Sequence, residues 1–447
     1  MKIYIPEKIK KAFPPETHTY VVGGCIRDMV MGVESNDIDL ATSLKPEEIK
    51  KVCNTNNIYC FDKGGEKFGV LVMSVEGNHY EITSFKKELG NRFLIELGAS
   101  LKDEISRRDF TMNALVYNFH TDEVIDKVNG VADIKNRILR AVGNPINRFE
   151  EDGVRILRAL RFKNQFNLRY DKFLFSTLRM KKFLTNRLAE VSIERIRMEL
   201  MKSLKKANVS WFFTDLLELG LLETVFPPLV DCVGKKQNGY HTQDVFAHSV
   251  YTARKLQEMG ANELLILAGL LHDTGKPDVR EWIEKKKRYM FIGHELYSVA
   301  HTNSFMEKFK FSKKDIRYVT AMIKHHMKLG SNISRASVYY IQYELEEKGL
   351  DIRDLYTLYV CDSSRPTHAR IDMKKYTFNE LKPMPVNGHD FLSFIKQPIN
   401  LGELLDKLRK YFYRQNQTPN KEDMVKVGMN MIANKKWLIK PITKENT

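Results

Sequence analysis

The chain has 447 residues, 43% of them apolar, five cysteines, and 72 Lys and Arg against 56 Asp and Glu, a net charge of +16. At roughly 150 residues per domain this is room for about three domains with real cores. Cys25, Cys53, Cys60, Cys232 and Cys361 show no paired spacing and no apolar run is long enough to span a bilayer, which excludes a disulfide framework, a zinc ribbon and a membrane protein.

The positive balance favours an anionic partner, nucleic acid ahead of a membrane surface. Met1 to Pro6 has no signal-peptide architecture, so a reducing cytoplasm is the expected location.

The first informative stretch is Tyr20-Val21-Val22 followed by Gly23-Gly24-Cys25-Ile26-Arg27-Asp28 and then Asp37-Ile38-Asp39. Residues two apart on a strand face the same way, so Asp37 and Asp39 are expected to aim together with Ile38 turned into the core. Paired carboxylates suit two divalent ions clamping the attacking and leaving oxygens of a phosphoryl transfer. Two glycines just upstream let backbone N–H groups approach a triphosphate.

Residues up to about 140 mix strands and helices. Phe68 to Val75 and Asn78 to Phe85 read as a strand pair across Glu76-Gly77. Glu81, on the second strand, is either a third metal acid or a solvent-facing residue. Arg107-Arg108-Asp109 with Asn113 follows; paired arginines offer forked donors to phosphate, and an Asp accepts from a ribose hydroxyl. Asp126 to Gly130 begins a loop, and Ile138 to Val142 reads as a short strand.

From Phe149 the pattern turns helical, with Asp152, Arg155 and Arg158 recurring on one face and Ile156 and Leu160 opposite. An acceptor (Asp152) beside a forked donor (Arg155) matches the pairing edge of cytosine or adenine, each with an exocyclic amino donor next to a ring-nitrogen acceptor. Guanine and uracil reverse that order. A charged surface helix has the same pattern.

With these residues in hand the chain resembles the class II tRNA nucleotidyltransferases, the CCA-adding enzymes of the polymerase-β-like superfamily, which also includes bacterial poly(A) polymerases. Gly23 to Asp28 with Asp37 and Asp39 is similar to their first motif, Arg107 to Asp109 to the second, and Asp126 to Gly130 to the third. Glu151-Asp152-x-x-Arg155 is similar to the base-selecting fourth and Glu194 to Leu200 to the supporting fifth. The resemblance implies an α/β head, a mixed five-stranded nucleotidyltransferase sheet with helices, followed by a mostly α-helical neck, body, HD domain and tail. It implies catalytic Mg²⁺ on Asp37 and Asp39 (with Glu81 as the open third acid), and nucleotide contacts from Gly24, Arg27, Arg107, Asp109, Asn113, Asp152, Arg155 and Arg158. The implied substrates are CTP, ATP and the 3′ end of tRNA. Between Phe85 and Arg107 the chain departs from the family: the loop is short and lacks a Gly- and acid-rich stretch. CC-adding members have shortened loops, so addition of CC alone is the alternative product.

Residues 163–236 read as helical, with Trp211-Phe212-Phe213 mostly core, and Pro227-Pro228 marks a boundary. Between His241 and His326 lie 7 of the chain's 12 histidines. Imidazole and carboxylate ligands together suit Mn, Fe, Ni or Co. The series resembles the HD-domain metal phosphohydrolases, which implies His248, His272, Asp273 and Asp362 as ligands of one transition metal or Mg²⁺, and His294 and His326 for a second. His326 is preferred to His325 because Met327 follows it. An HD phosphohydrolase or phosphodiesterase whose head serves only to bind RNA is the reading from a different class; a poly(A) polymerase is a further one. In the tail, Lys407 to Arg414 alternates basic and aromatic residues, either an RNA contact or an amphipathic helix with a cationic face. The expected division is a head at 1–148, neck and body at 149–238, an HD domain at 239–370 and a tRNA-binding tail at 371–447.

Overall fold

The computed structural model describes residues 3–34, 37–62, 64–65, 68–88, 95–237, 243–329, 333, 335–363, 385–393, 401–414 and 420–433. His241, the middle of the loop before Arg107 (residues 89–94) and residues 364–384 lie outside them. The chain divides into two compact units, Met1–Pro227 and Pro228–Thr447, parted at the double proline. All five cysteines are free thiols. Among the described residues no helix is long and apolar enough to cross a membrane.

The first unit is built on a mixed sheet. Its strands are β1 (Tyr20–Val22), β2 (Asp39–Thr42), β3 (Tyr59–Phe61), β4 (Val70–Val75), β5 (Asn78–Ser84), β8 (Val116–Asn118) and β9 (Glu123–Ile125), while β6 (Lys86–Glu88) and β7 (Ile95–Leu97) form a separate ladder. The order β3-β4-β5-β2-β1-β8-β9 makes seven strands rather than the expected five. Both edge strands are three residues long, too short to carry an alternating pattern that a reader of the sequence can count.

Strand β2 runs parallel to β5 and antiparallel to β1, which places Val22 opposite Asp39 on one side and Glu81 opposite Asp39 on the other. The β4–β5 hairpin turns at Glu76 and Gly77, both with positive φ (52° and 78°), the geometry that matches the right-handed twist of paired strands. Under the sheet, Val22, Ala41, Phe85, Ile105, Ala114, Val116 and Val142 form one buried cluster.

The helical stretch expected from Phe149 is two helices, Pro145–Glu151 and Val154–Phe166. The first starts earlier than expected: Asn144 caps it by accepting from the Ile146 amide at 2.9 Å, with Pro145 at the first position. It stops at Asp152, whose backbone is extended (φ −156°, ψ 103°). At Gly153 a Cβ would lie 2.3 Å from the Arg187 carbonyl oxygen, so only glycine fits this close approach. Asp152 is therefore not on a helix face with Arg155 and Arg158; it sits in the break and accepts from the Val154 amide at 3.2 Å. Phe212 and Phe213 are buried as expected, whereas Trp211 is 46% exposed.

Among its described residues the second unit has helices and one strand pair, Glu281–Ile283 with Arg288–Met290. Its main helices include Val245–Glu258, Glu263–Leu271, His294–Lys308, Lys313–His325 and Ile352–Asp362. Farther on, Leu401–Arg414 is a helix that buries Leu408 and Phe412 against Phe391 and Met424, and Arg409 stacks 4.1 Å over Tyr343. The basic-aromatic stretch of the tail is thus an amphipathic helix whose apolar side is core.

Candidate active site

Strand β1 ends at Gly23, whose φ of +90° is a conformation that side chains rarely adopt, and the chain enters the Gly24–Val30 helix. A Cβ on Gly23 would stand 3.2 Å from Asp39 Oδ2, so the turn lies directly against the first residue of β2. Asp39 is half-buried; burial, then the charges of Asp37 and Glu81, push its carboxyl up to about 6. Burial and Asp39 push the neighbouring Cys25 thiol up to about 11. Asp39, buried beside the charges of Asp37 and Glu81, is an oxygen donor of the kind a divalent cation takes. Ile38 is half-buried rather than buried, because β2 begins only at Asp39. Glu81 is exposed on β5 beside Asp39.

Asp37 and Asp39 open onto a cavity of about 670 Å³ that Gly24, Arg27, Arg107, Asp109, Asn113, Asp152, Arg155 and Arg158 also line. Every nucleotide-contact candidate named from the sequence reaches this one space. Glu81 is not among its lining residues. Nine Arg and Lys side chains line it against five carboxylates, a field suited to a polyanion.

These side chains are held by one another. Arg27, itself buried, donates to Asn113 Oδ1 at 2.8 Å and to Asp28 at 2.7 Å, with its guanidinium 4.6 Å over the Phe166 ring. Arg107 and Arg108 both pair with the buried Glu104 at 2.6 Å. Asp109 accepts from Asn113 at 3.1 Å and from Arg158 at 2.7 Å. Burial works against its charge, but Arg158 and Asn113 hold it below the ordinary carboxylate range.

Asp152 and Arg155 are anchored separately: Asp152 accepts from Arg195 at 2.5 Å, and Arg155 donates to Glu151 at 2.5 Å and to the Arg107 carbonyl at 2.7 Å. Sequence reading missed several cavity residues as contacts: Arg161, Phe162, Arg195, Glu199, Lys202 and Lys206. Arg161 continues the three-residue spacing of Arg155 and Arg158, a signal that was present. Lys202 and Lys206 share a face of the Ile193–Lys206 helix with Met198 and Arg195, but only the packing of that helix brings the face here. A buried ion pair, Arg161 with Glu199 at 2.7 Å, fastens the Val154–Phe166 and Ile193–Lys206 helices together.

The second unit gathers a separate group of ligand-type side chains. One donor atom from each of His248, His272, Asp273 and Asp362 lies within 4.8 Å of the others, and so do those of Asp273, His294 and His326. His248 and His272 approach Asp362 Oδ1 at 2.8 and 3.1 Å, and His294 approaches Asp273 Oδ1 at 3.2 Å. Nδ1 of His272, His294 and His326 each meets a carbonyl three residues upstream (Gly269, Phe291 and Ile323), at 2.8, 2.8 and 2.6 Å. That contact fixes the tautomer and turns each Nε2 lone pair inward.

Nε2 of His294 and His326 stand 3.3 Å apart, and burial pushes His326 down to about 4, leaving it neutral. Lys276 Nζ is 2.6 Å from Asp273, yet neither oxygen of that carboxylate meets a donor in hydrogen-bonding alignment among the described residues. Imidazole nitrogens converging on a buried carboxylate fit one or two metal ions. His325, buried at 3.4 Å from Glu344, faces elsewhere.

Comparison with known proteins follows the same division. Residues 19–140 match the Poly A polymerase head domain, 177–232 the probable RNA and SrmB-binding site of polymerase A, and 245–359 the HD domain. A CCA-adding enzyme of Enterococcus faecalis is 26% identical over 435 residues, 94% of this chain and 95% of that protein. One from Ligilactobacillus salivarius is 35% identical over 229 residues, 48% of this chain and 54% of the relative, so the more identical matches span about half the relatives' length. Among solved structures, the Bacillus stearothermophilus CCA-adding enzyme in complex with CTP aligns over 96% of both chains with a TM-score of 0.65 at 21% identity. The Thermotoga maritima CCA-adding enzyme complexed with tRNA aligns over 96% of both at 0.57 and 16%. Both share this fold.

Proposed function

We propose, on the premise that this chain belongs to the CCA-adding enzyme family of nucleotidyltransferases, that it adds C from CTP and then A from ATP to the 3′ end of tRNA without a template. The observation that carries the proposal is the single cavity shared by Asp37, Asp39, Asp152 and Arg155. Asp37 and Asp39, with Glu81 beside them, would hold Mg²⁺, which when bound supplies charge neutralisation for the reacting oxygens.

The other steps belong to side chains of this chain. The arginine- and lysine-lined cavity draws in the triphosphate, Gly23 and Gly24 let the backbone come near it, and Arg107 and Asp109 take the sugar and phosphates. Asp152 accepts from the exocyclic amine of cytosine or adenine while Arg155 donates to the adjacent ring nitrogen, and guanine or uracil presents both groups reversed. Arg195 and Glu151 keep the two readers in place between additions. Substrate tRNA lies along basic helices of the later regions.

The test is product length on tRNA lacking its end. CTP with ATP gives three added residues, and CTP alone gives two. A product that stops after two with both nucleotides present overturns terminal A addition and leaves the CC-adding reading. Asp39→Ala abolishes all addition; survival of activity in that variant overturns the assigned acids.

The histidine–aspartate centre supports a second activity, metal-dependent hydrolysis of phosphoesters. His248, His272, Asp273 and Asp362 would hold one ion, with His294 and His326 available to a second. Asp273→Ala removes phosphodiesterase activity and metal binding (measured by metal content) while tRNA extension continues. Equal metal content in that variant overturns the assignment.

A further inference from the structure

Between the segments that carry Asp273 and His294 the chain projects the only strand pair described in the second unit, Glu281–Ile283 against Arg288–Met290. Its tip is a short 3-10 turn, Glu284–Lys286, closed by Lys287 in the left-handed region (φ 45°). From Arg280 to Arg288 there are five basic side chains (Arg280, Lys285, Lys286, Lys287, Arg288) and two acidic ones (Glu281, Glu284), a net charge of +3. Trp282 and Tyr289 are directly paired across the strands and meet edge to face at 5.0 Å. The Arg280 guanidinium lies 3.6 Å from the Tyr289 ring centroid.

Trp282 is nevertheless 49% exposed, with its indole N–H donating to Glu284 at 2.7 Å. Apolar exposure continues past the hairpin at Ile292, which is 74% exposed, and at Leu296 and Tyr297. A two-stranded hairpin is marginal on its own; the cross-strand contact of Trp282 with Tyr289 helps hold it, yet much of the indole still faces solvent.

We propose that this hairpin is a docking surface for single-stranded RNA, with a base stacked on Trp282 and backbone phosphates on Lys285, Lys286, Lys287 and Arg288. Aromatic faces next to a run of cations are what sequence-tolerant recognition of a single strand requires: every base has a π-face, and every linkage carries a charge. The run of four successive cations complements a polyphosphate backbone, and the ring of Phe291, which follows the second arm, is centred 5.5 Å from Lys276 Nζ, itself 2.6 Å from Asp273 of a centre whose donors suit phosphate chemistry. The proposal does not rest on nucleotide addition in the first unit.

The experiment uses the full chain and a short fluorescein-labelled oligocytidylate, with anisotropy read across a salt series. Trp282→Ala weakens binding about tenfold, the loss of one base stack, and Trp282→Phe recovers most of it. Lys285→Glu with Lys286→Glu and Lys287→Glu lowers the slope of log affinity against log salt by about two. Photocrosslinks to the same RNA map to Trp282 or Tyr289. Extension of tRNA measured on the same variants reports separately on the first unit. Unchanged affinity in both sets of variants overturns the proposal, as does tight binding to phosphatidylserine vesicles with no binding to RNA.

Discussion

Asp39 is under two opposed demands. To bind a cation it must be ionised, yet burial and the charges of Asp37 and Glu81 raise its carboxyl to about 6. The folded chain therefore holds this proton more tightly than an unfolded one. The stability that Asp39 contributes is fully present below the ordinary carboxylate value and is lost as pH rises through about 6. Asp39→Asn removes that loss: the unfolding free energy of the metal-free variant, from urea titration, exceeds that of wild type by on the order of 2 kcal/mol at pH 7.5, and the gap closes toward pH 4. Affinity for Mg²⁺, followed by titration calorimetry, falls about tenfold per pH unit below about 6. Gly23→Ala fails for a different reason, since its φ of +90° costs roughly 1–2 kcal/mol for a residue with a Cβ and the added carbon crowds Asp39 Oδ2. Its tRNA extension rate drops more than tenfold while the fold, read by circular dichroism, persists.

At the scale of elements, the break between Pro145–Glu151 and Val154–Phe166 matters more than either helix. It frees Asp152 from helical geometry so that it can meet Arg195, and it exists because Gly153 packs against the Arg187 carbonyl. Gly153→Ala places a carbon where no neighbour can yield. It lowers stability by more than about 2 kcal/mol in chemical denaturation and degrades discrimination of CTP from UTP. The residues picked out here do line one cavity, but the expected local structure was wrong: charge spacing reads the same along a continuous or an interrupted helix, and the close approach that fixes the break is a tertiary fact. The adjacent Gly-Gly, Arg-Arg-Asp and His-Asp segments were legible because their chemistry is local. Lys202 and Lys206 were not, because their side of the Ile193–Lys206 helix gains meaning only where it packs beside Arg161. The five strands implied by the resemblance are seven in this chain, with the three-residue β3 and β9 at the two edges.

At the scale of the whole molecule, the division at Pro227 and Pro228 separates two groups of charged ligands that make different demands on solution conditions. With net charge +16 and a cationic cavity, affinity for tRNA falls steeply with salt; filter binding between 50 and 200 mM KCl shows a loss of at least about a hundredfold. An affinity flat over that range contradicts the nucleic-acid reading. Adding Mn²⁺ to chelator-treated protein raises the unfolding free energy of the second unit by about 3 kcal/mol at a hundred times the dissociation constant, and Asp273→Ala abolishes the increase.

The three carbonyl contacts made by His272, His294 and His326 have a consequence for how such an ion is taken up. Each imidazole is already rotated and its tautomer chosen by the helix turn beside it, so no backbone has to rearrange when the guest arrives. Chelated and loaded protein should give nearly superimposable amide spectra outside the rings themselves.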